Sequence, residues 1–393
     1  MLYQAGLILQ YFVLGYLIIQ VAYLLFFSLA GKIIKAKPFP EATTLRRIRI
    51  FIPGYKEDAV IINTAKNALN QNYPENLFEV VIIADSFSQA TLSVLRSLPI
   101  RLVEVSFKSS TKGKALQKAI AATAHDPVDI VVILDADNHM SRSFLHAVNN
   151  AFEQGYDVVQ GHRTAKNIQT PFAFLDACTE EINNHIFRRG HVAVGLPSAL
   201  IGSGMAFGWK LFISLLQDIG ETAGEDKELE FRIMRLRKNV AFLDGAYVLD
   251  EKVAKADVFN QQRSRWMAVQ VEFLKKYFTE GWRQLFKGNL AFFNKFFQTF
   301  LFPRVMLVAT LLLWMVWVML FSHQFLWISI GLLTGLAVSL CIGIPTRWYN
   351  RQLLAAFLQI PAALLSMIAA LSHIGKARKH FIHTPHSETE IKN

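Results

Sequence analysis

The sequence predicts an α/β fold with a mostly parallel sheet, in a chain that also enters a membrane, and three observations lead there. Short, nearly continuous apolar runs alternate with helix-period stretches between Ile48 and Asp137. Met1 to Gly31 and Val305 to Thr346 hold no charged side chain, whereas Lys32 to Arg304 has the mixed composition of a globular domain. Hydrophobic residues make up 52% of the 393 and charged ones only 18%, with a mean hydropathy of +0.28, too apolar for an ordinary soluble protein.

Residues 1–31 are expected to form a retained membrane anchor. Leu7 to Ala30 spans about the 20 residues a crossing helix needs and lacks the basic start and small-residue cleavage site of a signal peptide. Lys32, Lys35, Lys37, Arg46, Arg47 and Arg49 follow it. Basic loops stay in the cytoplasm, which places the amino terminus outside and the globular domain, 32–258, inside. Within that domain the strands are IRIFIP, EVVIIAD, RLVEV and DIVVILDAD. Helices are expected at Glu57–Gln71, around Ala90–Ser97 and at Lys112–Ala124. Strands apolar on both faces and separated by helices argue a parallel sheet covered on both sides, with ligands bound beyond its carboxyl ends.

Residues 259–304 read as a glutamine- and arginine-rich helix followed by amphipathic interfacial helices, and 305–375 as the carboxy-terminal membrane region. Crossings are expected near Val305–Phe321 and Leu326–Ile344. Leu353–Ile374 contains Pro361 and has cations at both ends, Arg351 and Lys376, so it is open to a kinked, re-entrant or interfacial reading. A basic tail, 376–393, closes the chain.

The net charge of +11 would suit nucleic acid, but the cations sit beside apolar runs, Lys376, Arg378 and Lys379 included. Juxtamembrane cations serve topology and anionic lipid, so membrane lipid is the expected partner and nucleic acid is not. Cys178 and Cys341 give neither a disulfide framework nor metal-ligand spacing. No G-x-G-x-x-G follows the first strand, which disfavours a nicotinamide-dependent enzyme.

Polar residues collect at the strand ends. Asp135 and Asp137 flank one residue after VVIL, so both carboxylates face one way; they could hold Mg²⁺ or Mn²⁺ against a diphosphate or simply cap the next helix, as Ser141 could. Asp85 ends the second strand, where a plain turn residue is the ordinary reading. Tyr55, beside Glu57, could stack on a base or belong to the core. Lys112 opens a helix, whose free amides and ammonium together favour an anion, although a surface lysine explains it too. Glu225 and Asp226 begin another helix after Gly224, where the helix dipole already favours acids; a general base is the alternative. Gln262 shares a helix face with Arg265 and Trp266, offering an amide, a guanidinium for phosphate and a ring for a sugar. An interfacial aromatic belt explains the arginine and tryptophan but not the glutamine.

Taken in order, IPGYKED, IIADS, KGKAL, LDAD, GSGMAF, GED and QRSRW resemble the membrane family 2 glycosyltransferases, the group of cellulose, chitin-oligosaccharide and hyaluronan synthases. The resemblance covers most of Ile48 to Trp266, and it is the ordered set rather than any one motif that is specific. It implies a GT-A (Rossmann-like) fold and inverting transfer from a nucleotide sugar, usually a UDP sugar. It also implies residue roles: Tyr55, Glu57, Asp85, Lys112 and Asp135 on the donor, Asp137 on Mg²⁺ or Mn²⁺, and Asp226 as base. Gly202, Ser203, Gly204, Glu225, Gln262, Arg263, Arg265 and Trp266 would hold acceptor or departing diphosphate. The chain departs from the family at Gly54 and Lys56, where alanine and asparagine are common. Its tail, Phe381–Glu388, looks like the threonine-proline segment that closes over the nucleotide in some relatives.

The expectation is therefore an integral-membrane, metal-dependent glycosyltransferase extending a β-linked glycan, with export subunits as possible partners. Single addition to a lipid-linked acceptor is the alternative within enzymes. A non-catalytic nucleotide-sugar-binding scaffold is the alternative outside them, and the filled acidic positions argue against it.

Overall fold

The structure is a computed structural model describing residues 2–35, 37–217, 219, 224–252 and 256–361; the side chains of 2, 3 and 256–265 lie outside the description. The catalytic-domain strands follow the apolar runs closely: β1 (Ile48–Tyr55), β2 (Phe78–Asp85), β3 (Arg101–Val105) and β4 (Ile130–Ile133). Four more complete the sheet, β5 (His139–Met140), β6 (Val158–Ala165), β7 (Met205–Gly208) and β8 (Val240–Asp250), in the order β3-β2-β1-β4-β7-β6-β8-β5. The first four strands are parallel, as expected. β7 runs antiparallel to both β4 and β6, while β6 and β8 pair in parallel, so the whole sheet is mixed.

Pleat alternation divides the strand side chains between two cores. Phe51, Val81, Ile83, Val131 and Ile133 face one side. Ile50, Ile52, Val80, Ile82 and Val132 face the other. Helices α2 (Ile61–Leu69), α3 (Gln89–Arg96) and α4 (Lys112–Thr123) link the early strands, and α5 (Phe144–Glu153) precedes β6. α2 starts later than its apolar period suggests, because Lys56 takes a φ of +57° and the chain makes a turn, with Val60 and Ile61 both donating to the Glu57 carbonyl.

The long apolar helices form a third apolar cluster. Three stretches among the described residues are long and apolar enough to cross a bilayer: Gln4–Ile33 within α1 (Leu2–Ile33), α12 (Arg304–Phe321), and His323–Gly343, which includes α13 (Leu326–Gly343). α6 (Pro171–Asn183) runs through a π-helical segment, Asn184–Gly190, into the short α7 (His191–Ala193), and packs against them. α8 (Trp209–Leu216) and α9 (Glu225–Arg235) return to the sheet. The helix expected near 259 proves much longer, α10 (Ala256–Phe286), followed by α11 (Leu290–Gln298); α14 (Arg351–Phe357) begins the segment with Pro361, of which 362–374 lies outside the described residues, as does the tail.

Polar groups on α1 explain how these parts are joined. Tyr16 and Gln20 both donate to the Phe300 carbonyl, at 2.6 and 3.0 Å, and Gln20 also accepts from Phe302 N–H. Tyr23 donates to Asn294 of α11 at 2.8 Å, and Ser28 donates to the Ser339 carbonyl of α13. Together these bonds fix the position of the 294–302 segment along α1. The π-helical segment meets α1 backbone to backbone: a Cβ at Gly190 would lie 2.2 Å from the Phe27 carbonyl oxygen. Gly190→Val is expected to lose about 1–3 kcal/mol through overpacking, read as a lower thermal midpoint of the detergent-solubilised protein. Gly15→Ala, with no neighbouring atom within 4 Å of its added methyl, should leave the midpoint unchanged.

Candidate active site

Thr111 caps α4 by accepting from Lys114 N–H, and this sets the first helical residue, Lys112, over the end of β4. Its ammonium donates to Asp135 Oδ1 and, at 2.6 Å, to the Gly202 carbonyl. One cation thus joins Asp135 to the loop before β7. Asp135 N–H in turn donates to Ser203 Oγ at 3.0 Å.

Nearly every polar group of that loop is bound. Ser198 N–H reaches the Val240 carbonyl and Ala199 N–H the Phe187 carbonyl of the π-helical segment. Leu200 N–H donates to Glu230 Oε1 at 2.9 Å and Ile201 N–H to Gln160 Oε1 at 3.0 Å. The Gln160 amide returns a hydrogen bond to the Ser203 carbonyl, and Gly204 N–H donates to Ile133. Gly202 and Gly204 adopt φ of +84° and +64°, and a Cβ at Gly204 would stand 2.7 Å from Val248, so the turn requires glycine twice.

Asp226 lies in the first turn of α9, beside this loop. A Cβ at Gly202 would come within 3.9 Å of Asp226 Oδ2. Asp226 Oδ1 accepts its own helix's Lys227 N–H at 2.9 Å. Glu225 turns the other way: a Cβ at Gly113 would be 3.1 Å from its Oε1, which puts its carboxyl at the start of α4. Burial pushes the Glu225 carboxyl up to about 7, assisted by Asp226 and opposed by Lys112, Gly113 N–H and Thr111. Glu225 therefore fastens α9 to α4.

On the other side of β4, Tyr55 and Asp85 are register partners at the ends of β1 and β2. Asp85 is buried and accepts from Ser86 Oγ at 2.9 Å, and the Lys56 ammonium stands 5.2 Å from the Tyr55 ring. Lys56 and Ser86 both have positive φ, a local strain at adjacent strand ends of the kind that gathers at ligand sites. Glu57 follows in the turn that delays α2. Asp137 is buried, with Asn138 Nδ2 donating to its Oδ1 at 3.1 Å. The donor set suits a hard divalent cation, since Asp137 and Asp135 supply only oxygen. No cluster of three or more His, Cys, Asp or Glu side chains capable of holding a metal occurs among the described residues.

The structure thus brings together Lys112, Asp135, Gly202, Ser203, Gly204 and Asp226, with Glu225 behind them. Trp266, 40% exposed on α10, is followed by Met267, which packs against Val305 and Met306 at the start of α12. The side chains of Gln262, Arg263 and Arg265 lie outside the described residues. Sequence reasoning missed Gln160, Glu230 and Asn138. Gln160 lies in a strand, VVQGHRTA, with other polar residues, and Glu230 is one of several acids on α9, so neither stood out; Asn138 directly follows the acidic pair.

A mixed sheet with this acidic rim defines a GT-A glycosyltransferase fold. Residues 46–268 match the model described as glycosyltransferase like family 2, and the chain belongs to that family. It is 26% identical over 226 residues to a beta-monoglucosyldiacylglycerol synthase of Trichormus variabilis, covering 56% of this chain and 48% of that one. It is 22% identical to the probable glycosyltransferase YdaM of Bacillus subtilis, over 65% of this chain and 64% of that one. The chain's match spans about half the length of the first relative and under two thirds of the second. Among solved structures, the mannosyltransferase PcManGT of Pyrobaculum calidifontis, in complex with GDP-Man and Mn²⁺, superposes with a TM-score of 0.50 at 18% identity, covering 94% of this chain and 98% of that one.

A carboxyl whose native pKa is raised binds a proton that the unfolded chain, with its ordinary value of 4.5, has already released. Stability from Glu225 therefore falls as pH rises from about 4.5 through about 7. Glu225→Gln, which keeps an acceptor for Gly113 N–H, should flatten the decline of the thermal midpoint across that window. An unchanged slope would remove Glu225 from the account.

Proposed function

We propose that the protein transfers one sugar from a nucleotide sugar, most simply a UDP sugar, to a hydroxyl of a lipid acceptor at the membrane surface, with inversion. The observation that carries this is the placement of Asp226 beside the Gly202 loop, in a site whose α10 helix abuts the membrane entry of α12 through Met267. An acceptor anchored in the bilayer reaches such a site without leaving it. The relative named as a beta-monoglucosyldiacylglycerol synthase supports the same acceptor class. The reading places the chain in the membrane by its three apolar helices, with the catalytic domain cytoplasmic and the amino terminus outside.

Tyr55 and Asp85, with Glu57 close by, receive the base and its ribose; Lys112 and Asp135 face the diphosphate. A bound Mg²⁺ or Mn²⁺, held through Asp137, would neutralise the charge that develops on the leaving diphosphate. Asp226 accepts the proton of the acceptor hydroxyl as its oxygen attacks the anomeric carbon, and the bond from that carbon to the diphosphate oxygen breaks on the opposite face. A single displacement inverts the centre, so an α-linked donor yields a β-linkage. The pinned loop from Ser198 to Gly204 keeps the attacking oxygen in line without paying for its own ordering at each turnover. Gln262, Arg263, Arg265 and Trp266 complete the acceptor side.

Chain growth is the second reading, favoured by the Gln262-x-x-Arg265-Trp266 pattern on α10 and by the exposed Trp266 ring, and export subunits belong to it. Product analysis separates the two: one added sugar against a ladder. Asp226→Asn is expected to retain nucleotide-sugar binding while transfer falls roughly 10²–10⁴-fold, the usual worth of a general base. Full activity in that variant would exclude Asp226 as the base.

A further inference from the structure

Directly after the acidic pair, Asn138 is completely buried, and its Nδ2 donates to two carboxylates at once, Asp137 Oδ1 at 3.1 Å and Asp250 Oδ1 at 2.9 Å. The amide must present nitrogen to this gap, since its oxygen would set three acceptors face to face. Asn138 Oδ1 is left with no hydrogen-bond partner, an arrangement that is costly for a buried amide. Asp250, at the end of β8, is itself engaged on both oxygens: the buried Lys252 ammonium holds its Oδ2 at 2.6 Å. Lys252 also reaches Glu180 at 3.3 Å, and Arg163 meets Glu180 at 2.8 Å. Asp250 is thus committed to the protein, and the charged cluster behind it gives the bridging amide a fixed seat.

We infer that Asn138 and Asp250 are positioning residues for the metal-holding carboxylate of Asp137. The inference rests on the metal reading proposed above. Asn138 fixes one oxygen and hence the rotation of the Asp137 carboxylate, and Asp250 fixes Asn138. Outer partners of this kind typically change metal affinity 10–100-fold when removed.

The test measures Mn²⁺ binding directly, from the electron paramagnetic resonance of free Mn²⁺ titrated into detergent-purified full-length protein with UDP present. Asn138→Ala should weaken binding about 10–100-fold, and transfer at saturating Mn²⁺ should stay near the wild-type rate. Asp250→Asn should shift affinity in the same direction but less, and the double variant should be no weaker than Asn138→Ala, as expected for groups acting in series. Should Asn138→Ala fail to fold, Asp250→Asn carries the test alone. Variants that lower the thermal midpoint but bind Mn²⁺ as the wild type does would overturn the inference and leave a merely structural bridge. A wild-type protein that binds no Mn²⁺ in the presence of UDP would overturn the metal reading and this inference together.

Discussion

Lys112 donates from a single ammonium to Asp135 at the end of β4 and to the Gly202 carbonyl in the loop before β7, so two sides of the site share one cation. Its charge serves two ends. It offsets Asp135, which would otherwise add to the negative potential of Asp137 two residues on and repel a diphosphate. It also draws the glycine turn against the sheet, which brings Gly202 beside Asp226. The lysine can do this because Thr111 caps α4 at that residue and Glu225 holds the same helix start from the side of α9. Loss of the ammonium would release the turn and leave the Asp135 carboxylate without its counter-charge.

The second constraint is the attachment of the sheet domain to the long apolar helices. Here α11 and the turn after it are held by Tyr16, Gln20 and Tyr23 of α1, while the π-helical segment touches α1 at Gly190 and holds the Ser198–Gly204 loop through the Phe187 carbonyl and Ala199 N–H. Glu230, one helical turn beyond Asp226, binds both Leu200 N–H and the ammonium of Lys295 on α11. α1, α11 and the Ser198–Gly204 loop are therefore joined in one packed unit among the described residues.

Much of this was legible in the sequence, for identifiable reasons. β1, β2 and β4 are buried on both faces, and such strands read as uninterrupted apolar runs; the acidic residues mark their carboxyl ends. The three long apolar helices were legible from the absence of charge. The direction of β7 was not, because a strand's hydrophobic pattern is the same whichever way it runs. Nor was the role of Gln160, whose amide closes the acceptor loop from β6 across more than forty residues of sequence. Glu225 and Asp226 look equivalent as letters, yet a helical turn sends their side chains apart, one to the start of α4 and one to the Gly202 loop. Asn138 could be noticed only once β8 had delivered Asp250 to it.

The central claim is that one ammonium organises both substrates, and substitution of Lys112 tests it most directly. Steady-state transfer would be measured with Lys112→Met and Lys112→Arg, varying nucleotide sugar and lipid acceptor in turn. The account predicts that methionine raises the KM of both substrates and lowers kcat, and that arginine, which keeps a cation able to reach Asp135, recovers part of the donor term more readily than the acceptor term because its planar fork does not reproduce the contact with the Gly202 carbonyl. A methionine variant that changes the donor KM alone, with the acceptor KM untouched, would contradict it.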